Sequence, residues 1–504
     1  MSAGKTNGEV DVAFPGYGEA SPLVLPVDLS QKVTDDITRR MLSPHFEDWA
    51  DAASKVGHCA KPIRLRGCTT RYDTTTGEVL SSYSSSDEAL GVTYVRCGNR
   101  REQQCPSCSR IYARDTFEMI RAGVTGGKTV PATVGDNPLV FATLTAPSFG
   151  HVHGTRSNGG RCRPRDTARW CEHGKSVACF TAHSDDDPVV GSPICGDCYD
   201  YDAHLVWQWW APELWRRFTI TLRRQVAHHL GVSDSRLPSV AVVQYAKVAE
   251  QQRRGVIHFH ALIRLDGPKS SEGFAPAPSS LDGATLSRLI AAAASAVTYT
   301  AAAITDTDTP RVLRFGTQLD ARPVTARRRN GLDSDVLSAE QVAGYLAKYA
   351  TKAATDIHGS QSTAHLIRLR SVARDLADIA DINGDYALLG KWVHMLGFRG
   401  HFSSKSRRYS VTLGQLRRAR ARFARITAQA ERDGTPVDVA DLEARLMADD
   451  DQETTLVVGQ WSYAGSGWDN DGDTALALAA AARAKEYDQW RAKNCPRKQD
   501  LMKR

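Results

Sequence analysis

The chain's 504 residues, 41% hydrophobic and 24% charged, have the mix of a globular protein, which excludes a disordered or fibrous one. At this length several cores can be buried, and two or three domains are expected. The net charge of +7 is slight beside 64 basic and 57 acidic residues, so composition by itself names no partner. The distribution says more. Basic residues gather at Arg216–Arg217, Arg223–Arg224, Arg253–Arg254, Arg327–Arg329, Lys405–Arg408 and Arg417–Arg425, a pattern that suits a polyanion.

Residues 1–40 read as a flexible arm with no basic-then-apolar export signal, and 41–135 as an N-terminal region around a first cysteine group. From 136 to 402, strand-like and helix-like patterns alternate, as in an α+β domain with an antiparallel sheet. Two stretches interrupt it: a Cys/His-rich insertion at about 151–200 and a Pro/Ser/Gly loop at 267–283. Strands are predicted at 139–146, 239–250, 256–265 and 311–319, with the second and third joined by the short turn QQRRG into a hairpin. The Ala-rich run Leu289 to Ile304 is too short and too polar to span a membrane and reads as a packed helix. Residues 403–504 form a basic, mostly helical region, with helices at 413–432 and 474–493 and a strand-like run from Thr455 to Tyr463. The expected compartment is the reducing cytoplasm, where eleven cysteines point to metal before disulfides.

On the hairpin, His258 and His260 flank Phe259. Residues two apart on a strand share a face, so both imidazoles can reach one ion. Alone, this pattern is weak. If the hairpin pairs without a bulge, Glu250 joins the two histidines, while Ile257, Phe259, Ala261 and Ile263 pack on the opposite face. Two imidazoles and a carboxylate can hold Mg²⁺ or Mn²⁺ with positions left open for phosphate oxygens. The competing reading is a structural histidine pair beside a surface glutamate.

Residues 338–354 are predicted to form a helix capped by Ser338 and Gln341. Tyr345, Lys348, Tyr349 and Lys352 share one of its faces. Tyrosines at this spacing usually face a core, but a core would not welcome the lysines. A phenol is a poor nucleophile at neutral pH unless its anion is stabilised, and a metal with a nearby ammonium does that. Attack of such a phenolate on a phosphodiester would leave a phosphotyrosine link and a free 3′-hydroxyl.

In these residues the chain resembles the HUH endonuclease superfamily, and within it the two-tyrosine rolling-circle replication initiators of actinobacterial plasmids and integrative conjugative elements. The likeness is carried by FATLTAPSFG (141–150), AKVAEQQRRGVIHFHALIRLDG (246–267), GYLAKYATK (344–352), CGNRREQQCPSC (97–108), CGDCYDY (195–201), APELWRRFTITLRR (211–224) and HMLGFRGHFSSKSRRYS (394–410). It implies an antiparallel-sheet nicking core over 136–402, metal binding by His258 and His260, nucleophilic roles for Tyr345 and Tyr349, and phosphate or phenolate support from Lys348 and Lys352. Glu250 as third ligand is similar to single-tyrosine relatives. The implied partners are origin DNA, both double- and single-stranded, with host helicase and replication machinery; no membrane is implied. A two-tyrosine transposase or conjugative relaxase would use the same chemistry. A zinc-containing DNA-binding regulator that does not cut is the alternative of another class.

Cys105-Pro-Ser-Cys108 is a knuckle of the kind that holds zinc, with Cys97 eight residues earlier and either Cys59 or Cys68 to complete four thiolates. The resemblance at CAKPIRLRG favours Cys59. In the insertion the candidates are Cys162, Cys171, His173, Cys179, His183, Cys195 and Cys198; the expected set is Cys171, Cys179, Cys195 and Cys198. One or two structural zinc ions are therefore expected. Cys495 reads as a free thiol.

Overall fold

The computed structural model describes residues 29–156, 158–164, 170–270, 273–305, 307–325, 337–338, 341–346, 363–437, 439, 442–448 and 455–494. The chain divides into two compact units, one made of residues 1–112 and 449–504, the other of 113–448. The first unit thus combines N-terminal and C-terminal segments of the chain.

Among the described residues the first unit begins with α1 (Gln31–Met41), whose N-cap Ser30 accepts a hydrogen bond from the Val33 amide, within the stretch 1–40 expected as an arm. α2 (Phe46–Lys55) follows, then β1 (Ile63–Asp73), β2 (Val79–Ser84), β3 (Thr93–Val95) and the start of α3 (Pro106–Thr125). β2 and β3 both pair antiparallel with β1.

The second unit holds a six-stranded sheet. Its strands are β4 (Leu139–Leu144), β5 (Val242–Gln251), β6 (Ile257–Asp266), β9 (Leu319–Thr325), β10 (Leu337–Ser338) and β11 (Ser403–Lys405), in the order β10-β9-β4-β6-β5-β11. All pairs are antiparallel except the short β10–β9 contact. The β5–β6 hairpin keeps one register from Val242↔Asp266 to Gln251↔Ile257, with no bulge. Alternate residues therefore sort cleanly between two faces. Ile257, Phe259, Ala261 and Ile263 enter one core with Trp207, Trp215 and Phe218 of α4 (Tyr201–His229). Ile257, Phe259 and Ile263, fully buried, each stabilise by roughly 1.5–3 kcal/mol. On the other face Val248 and Leu262 pack with Phe141, with Ile120 of α3, with Tyr409, and with Val342, Ala343 and Leu346 of α6 (341–346). A sheet with both faces covered leaves only its ends for chemistry.

Two expected elements are redrawn. The run 289–304 is not one helix: α5 (Gly283–Ala296) stops, and β7 (Thr298–Ala301) pairs with β8 (Arg311–Arg314). The β-branched and aromatic residues Val297 to Thr300 suit a strand better than a helix. The strand expected at 311–319 breaks at Gly316, whose amide bonds the Thr145 carbonyl at 2.8 Å. A Cβ there would lie 2.5 Å from the Ala146 oxygen, so only glycine lets these backbones approach. The chain then turns to form β9 against β4.

α7 (Ala364–Ile379), α8 (Leu413–Asp433) and α9 (Leu442–Met447) complete this unit; α8 begins with a capping box between Thr412 and Gln415. The chain then returns to the first unit. β12 (Thr455–Ser466) pairs antiparallel with the whole of β1, from Ile63↔Ser466 to Asp73↔Thr455. α10 (Asp471–Asn494) lies against α1, where Arg40 holds Asp473 through two bonds of 2.7 Å. Ile37, Trp49, Trp468 and Leu476 form the core between them. No described helix is long and apolar enough to cross a membrane.

Candidate active site

The hairpin register sets Glu250 directly opposite His258 and Val248 opposite His260. Glu250, His258 and His260 thereby converge, with one ligand atom from each lying within 4.8 Å of the others. Nε2 of His258 and of His260 stand 2.7 and 2.8 Å from the same Glu250 oxygen. Each ring is also held from behind: Nδ1 of His258 meets Gln252 Nε2 at 3.3 Å, and Nδ1 of His260 meets Thr143 Oγ1 at 3.0 Å. Thr143 Oγ1 can accept from Nδ1 of His260 and leave Nε2 aimed at the shared point, as a metal-binding histidine requires; the Gln252 amide NH2 is a donor, so at His258 it fixes the position of the ring alone. Phe141 stacks parallel on the His260 ring, with centroids 5.7 Å apart.

The turn is clamped as well. Gln208 of α4 accepts from the Ile257 amide and donates to the Gly255 carbonyl, both at 2.9 Å. Arg254 donates to Gln252 Oε1 at 2.9 Å and to the Pro147 carbonyl at 3.1 Å, so it positions the residue that holds His258. Burial works to raise the Glu250 carboxyl, but hydrogen bonds from His258 and His260 outweigh it and hold the group at about 2. Burial lowers His260, against the raising effect of the Glu250 carboxylate.

Tyr345, on α6, is 40% exposed. Its hydroxyl lies 3.5 Å from His260 Nε2, and its ring stands perpendicular to that of His260 at 5.2 Å. Tyr345 also meets the edge of Phe141. The structure thus brings one of the expected tyrosines to the histidine and carboxylate cluster. Lys348, Tyr349 and Lys352 lie outside the described residues. Thr143, Gln252 and Gln208 escaped the sequence reading, because neither their type nor their spacing marks them; only the pairing of β4 with β6 brings Thr143 opposite His260.

In the first unit, Cys59, Cys97, Cys105 and Cys108 form a closed group. Their Sγ–Sγ separations are 3.7 Å for Cys59–Cys105, 3.7 Å for Cys59–Cys108 and 3.8 Å for Cys97–Cys108. A zinc tetrahedron with metal–sulfur distances of about 2.3 Å has edges of about 3.8 Å, so the sulfurs already stand at zinc spacing. The amides of Ala60, Cys97 and Asn99 each lie 3.4 Å from a ligand sulfur and stabilise thiolate charge. Cys68 is exposed on β1, away from this group.

The insertion departs from expectation. Cys171, Cys195 and Cys198 come together with His173, whereas Cys179 joins His153, Cys162 and His183. The expected set of four cysteines is therefore split between two groups. His153, absent from the candidates read in the sequence, supplies one of these donors. Cys495 lies outside the described residues.

The basic clusters are also partly spent on the fold. Arg216 and Arg217 pair with Glu213, and Arg224 with Asp234. Arg420 pairs with Asp115. Arg422 is 8% exposed and donates to the carbonyls of Leu446 and Ala448. Arg417, by contrast, is exposed.

Residues 45–482 match the family model described as replication initiator protein, pSAM2. A replication initiator protein of Streptomyces ambofaciens is 40% identical over 482 residues, covering 92% of this chain and 96% of the relative. No solved structure matches. A match over most of the chain, with the Cys, His and Tyr motifs inside it, places the protein in the pSAM2 family of replication initiator proteins.

Proposed function

We propose that this replication initiator nicks one strand of origin DNA by the HUH, two-tyrosine mechanism, and so starts rolling-circle replication. The observation that carries the reading is the approach of the Tyr345 hydroxyl to a cluster of two imidazoles and a carboxylate. Glu250, His258 and His260 would hold the divalent cation. When bound, Mg²⁺ or Mn²⁺ would supply Lewis-acid polarisation of the scissile phosphate. The chain's own groups do the rest. Thr143 and Gln252 keep both imidazoles aimed, and the low Glu250 carboxyl stays ionised through the working pH range.

Tyr345 gives its proton to solvent water, and its phenolate oxygen attacks phosphorus. The bond from phosphorus to the 3′ oxygen breaks, and that oxygen leaves as the 3′-hydroxyl after taking up a proton. The 5′-phosphate remains on the tyrosine, so the bond is stored and can be rejoined. Tyr349, one helical turn further along the sequence, would take the second transfer that ends a round, with Lys348 and Lys352 supporting phosphate or phenolate charge.

The test is incubation of the full chain with a single-stranded origin oligonucleotide and Mn²⁺ or Mg²⁺. A denaturant-resistant adduct should form, and peptide mapping should place it on Tyr345 or Tyr349. Full nicking in EDTA, or an adduct on a tyrosine elsewhere, would overturn the mechanism. Binding without any adduct would favour a non-cutting regulator.

A further inference from the structure

Among its described residues, the insertion between β4 and α4 shows isolated bridges such as Arg163↔Cys179 and Val152↔Pro193 in place of helices or strands. A segment this poor in apolar side chains cannot stabilise itself by a core and needs another staple. It gathers two sets of four ligands: an inner set of His153, Cys162, Cys179 and His183, and an outer set of Cys171, His173, Cys195 and Cys198. We infer that the insertion holds two separate zinc ions, one on each set, and that the inner ion braces the turn of the β5–β6 hairpin.

The inner set has the marks of a built metal site. Arg163 and Cys179 exchange both backbone hydrogen bonds, at 2.8 and 3.0 Å, which brings Cys179 beside Cys162. The Gly154 amide lies 3.3 Å from Cys162 Sγ. His183 turns Nε2 to within 3.3 Å of Cys179 Sγ, while its Nδ1 meets Asp187 at 2.7 Å. A carboxylate on the far nitrogen of a ligating histidine fixes its tautomer and raises its basicity. Asp187 is in turn held by the Val189 amide at 2.9 Å. Nδ1 of His153 is buried with no hydrogen-bond partner, a cost that an ion bound at that nitrogen would relieve.

In the outer set, a tight turn closes from Cys171 to Gly174 and Lys175, with bonds of 3.0 and 2.9 Å. His173 Nδ1 comes to 3.2 Å from Cys198 Sγ. Each set offers four soft nitrogen and sulfur donors, which select zinc over the hard cations suited to the hairpin site.

The inner set is tied to the hairpin turn by its own loop. Gly191, at φ +90°, packs on the backbone of Arg253, where a Cβ would lie 2.6 Å from the Arg253 carbonyl carbon. The Arg253 guanidinium donates to the Asp185 carbonyl. Asp185 and Gly191 bracket Asp187, and Arg253 adjoins Gln252, which holds His258. His153 and Arg163 also line a cleft of about 440 Å³ together with Gln252 and Arg253 of this turn.

Elemental analysis of the purified full chain tests the pair of ions. The wild type should carry three zinc ions, counting that of the four-cysteine site. Cys162→Ser/Cys179→Ser should lose one equivalent, Cys195→Ser/Cys198→Ser one, and the quadruple variant two. If the quadruple variant loses no more than either double variant, the two sets share a single ion and the inference fails. Should the variants not fold, the wild-type ratio decides: two or fewer zinc ions per chain overturns it. Asp187→Asn, with all ligands intact, should weaken the inner ion roughly 10–100-fold against a competing chelator; unchanged affinity would remove Asp187 from the site. Hydrogen exchange of the turn amides 252–256 should quicken in the inner double variant and not in the outer one. Equal protection in both would overturn the bracing role.

Discussion

The four-cysteine group of the first unit and the Glu250–His258–His260 group of the second are built from opposite principles. The first is closed: Cys59, Cys105 and Cys108 are buried, all ligands are thiols, and backbone amides point at the sulfurs. The second offers three mixed candidate donors, with partners behind both imidazoles, and a half-exposed tyrosine beside them. Four protein ligands leave a zinc ion nothing to do but hold the chain together. Three ligands leave positions for a substrate oxygen. The difference separates a site that the fold needs from one that the fold merely presents.

The sharpest way to break that contrast is to remove a ligand from each. Cys105→Ser or Cys108→Ser should give insoluble or unfolded protein with one zinc fewer, since structural zinc contributes folding free energy of roughly 10–16 kcal/mol in small domains. Soluble, active protein without zinc would contradict this. His258→Ala should abolish cleavage yet leave the thermal midpoint nearly unchanged, because the side chain is only part-buried. His260 is 3% exposed, so His260→Gln, which keeps most of its volume, is the cleaner variant there. If either variant still cuts at the wild-type rate, the hairpin group is structural after all.

The tyrosines come next. Tyr345→Phe and Tyr349→Phe should differ in severity, with at least one still forming an adduct. The double variant should form none while still binding DNA, because losing two hydroxyls removes no basic contact. A single variant that completes full rounds of replication normally would leave one tyrosine with no shared role.

Thr143→Val probes the support rather than the ligand. It should raise the Mn²⁺ concentration needed for half-maximal nicking by roughly 10–100-fold with less effect on the rate at saturation. A fall in saturated rate alone would mean that Thr143 acts on DNA and not through His260. The smallest effect is expected at the surface of α8. Arg417→Gln should reduce the slope of log affinity against log salt by about 0.9 if that side chain meets a phosphate; an unchanged slope would assign the exposed face of α8 to solvent.

How much was legible follows from the range of each interaction. The hairpin site could be read because it depends on a period of two and a short turn, both local; parity alone put Glu250, His258 and His260 on one face, and the uninterrupted register carries them there. The knuckle Cys105–Cys108 is equally local. For the arginines of α8, sequence shows charge but not partners: Asp115 and the carbonyls of Leu446 and Ala448 occupy two of them.

Sequence by itself determined the α+β class, the strands of the hairpin, the tyrosine spacing and the cysteine knuckles, because these are set by neighbours a few residues away. Tertiary structure decided what distant segments do to one another. It paired β12 with β1 from opposite ends of the chain, set Thr143 behind His260, brought Tyr345 to the cluster, and sorted the ligands of the insertion into two groups. In a loop without periodic structure, spacing permits many ligand combinations, and only the backbone path chooses among them.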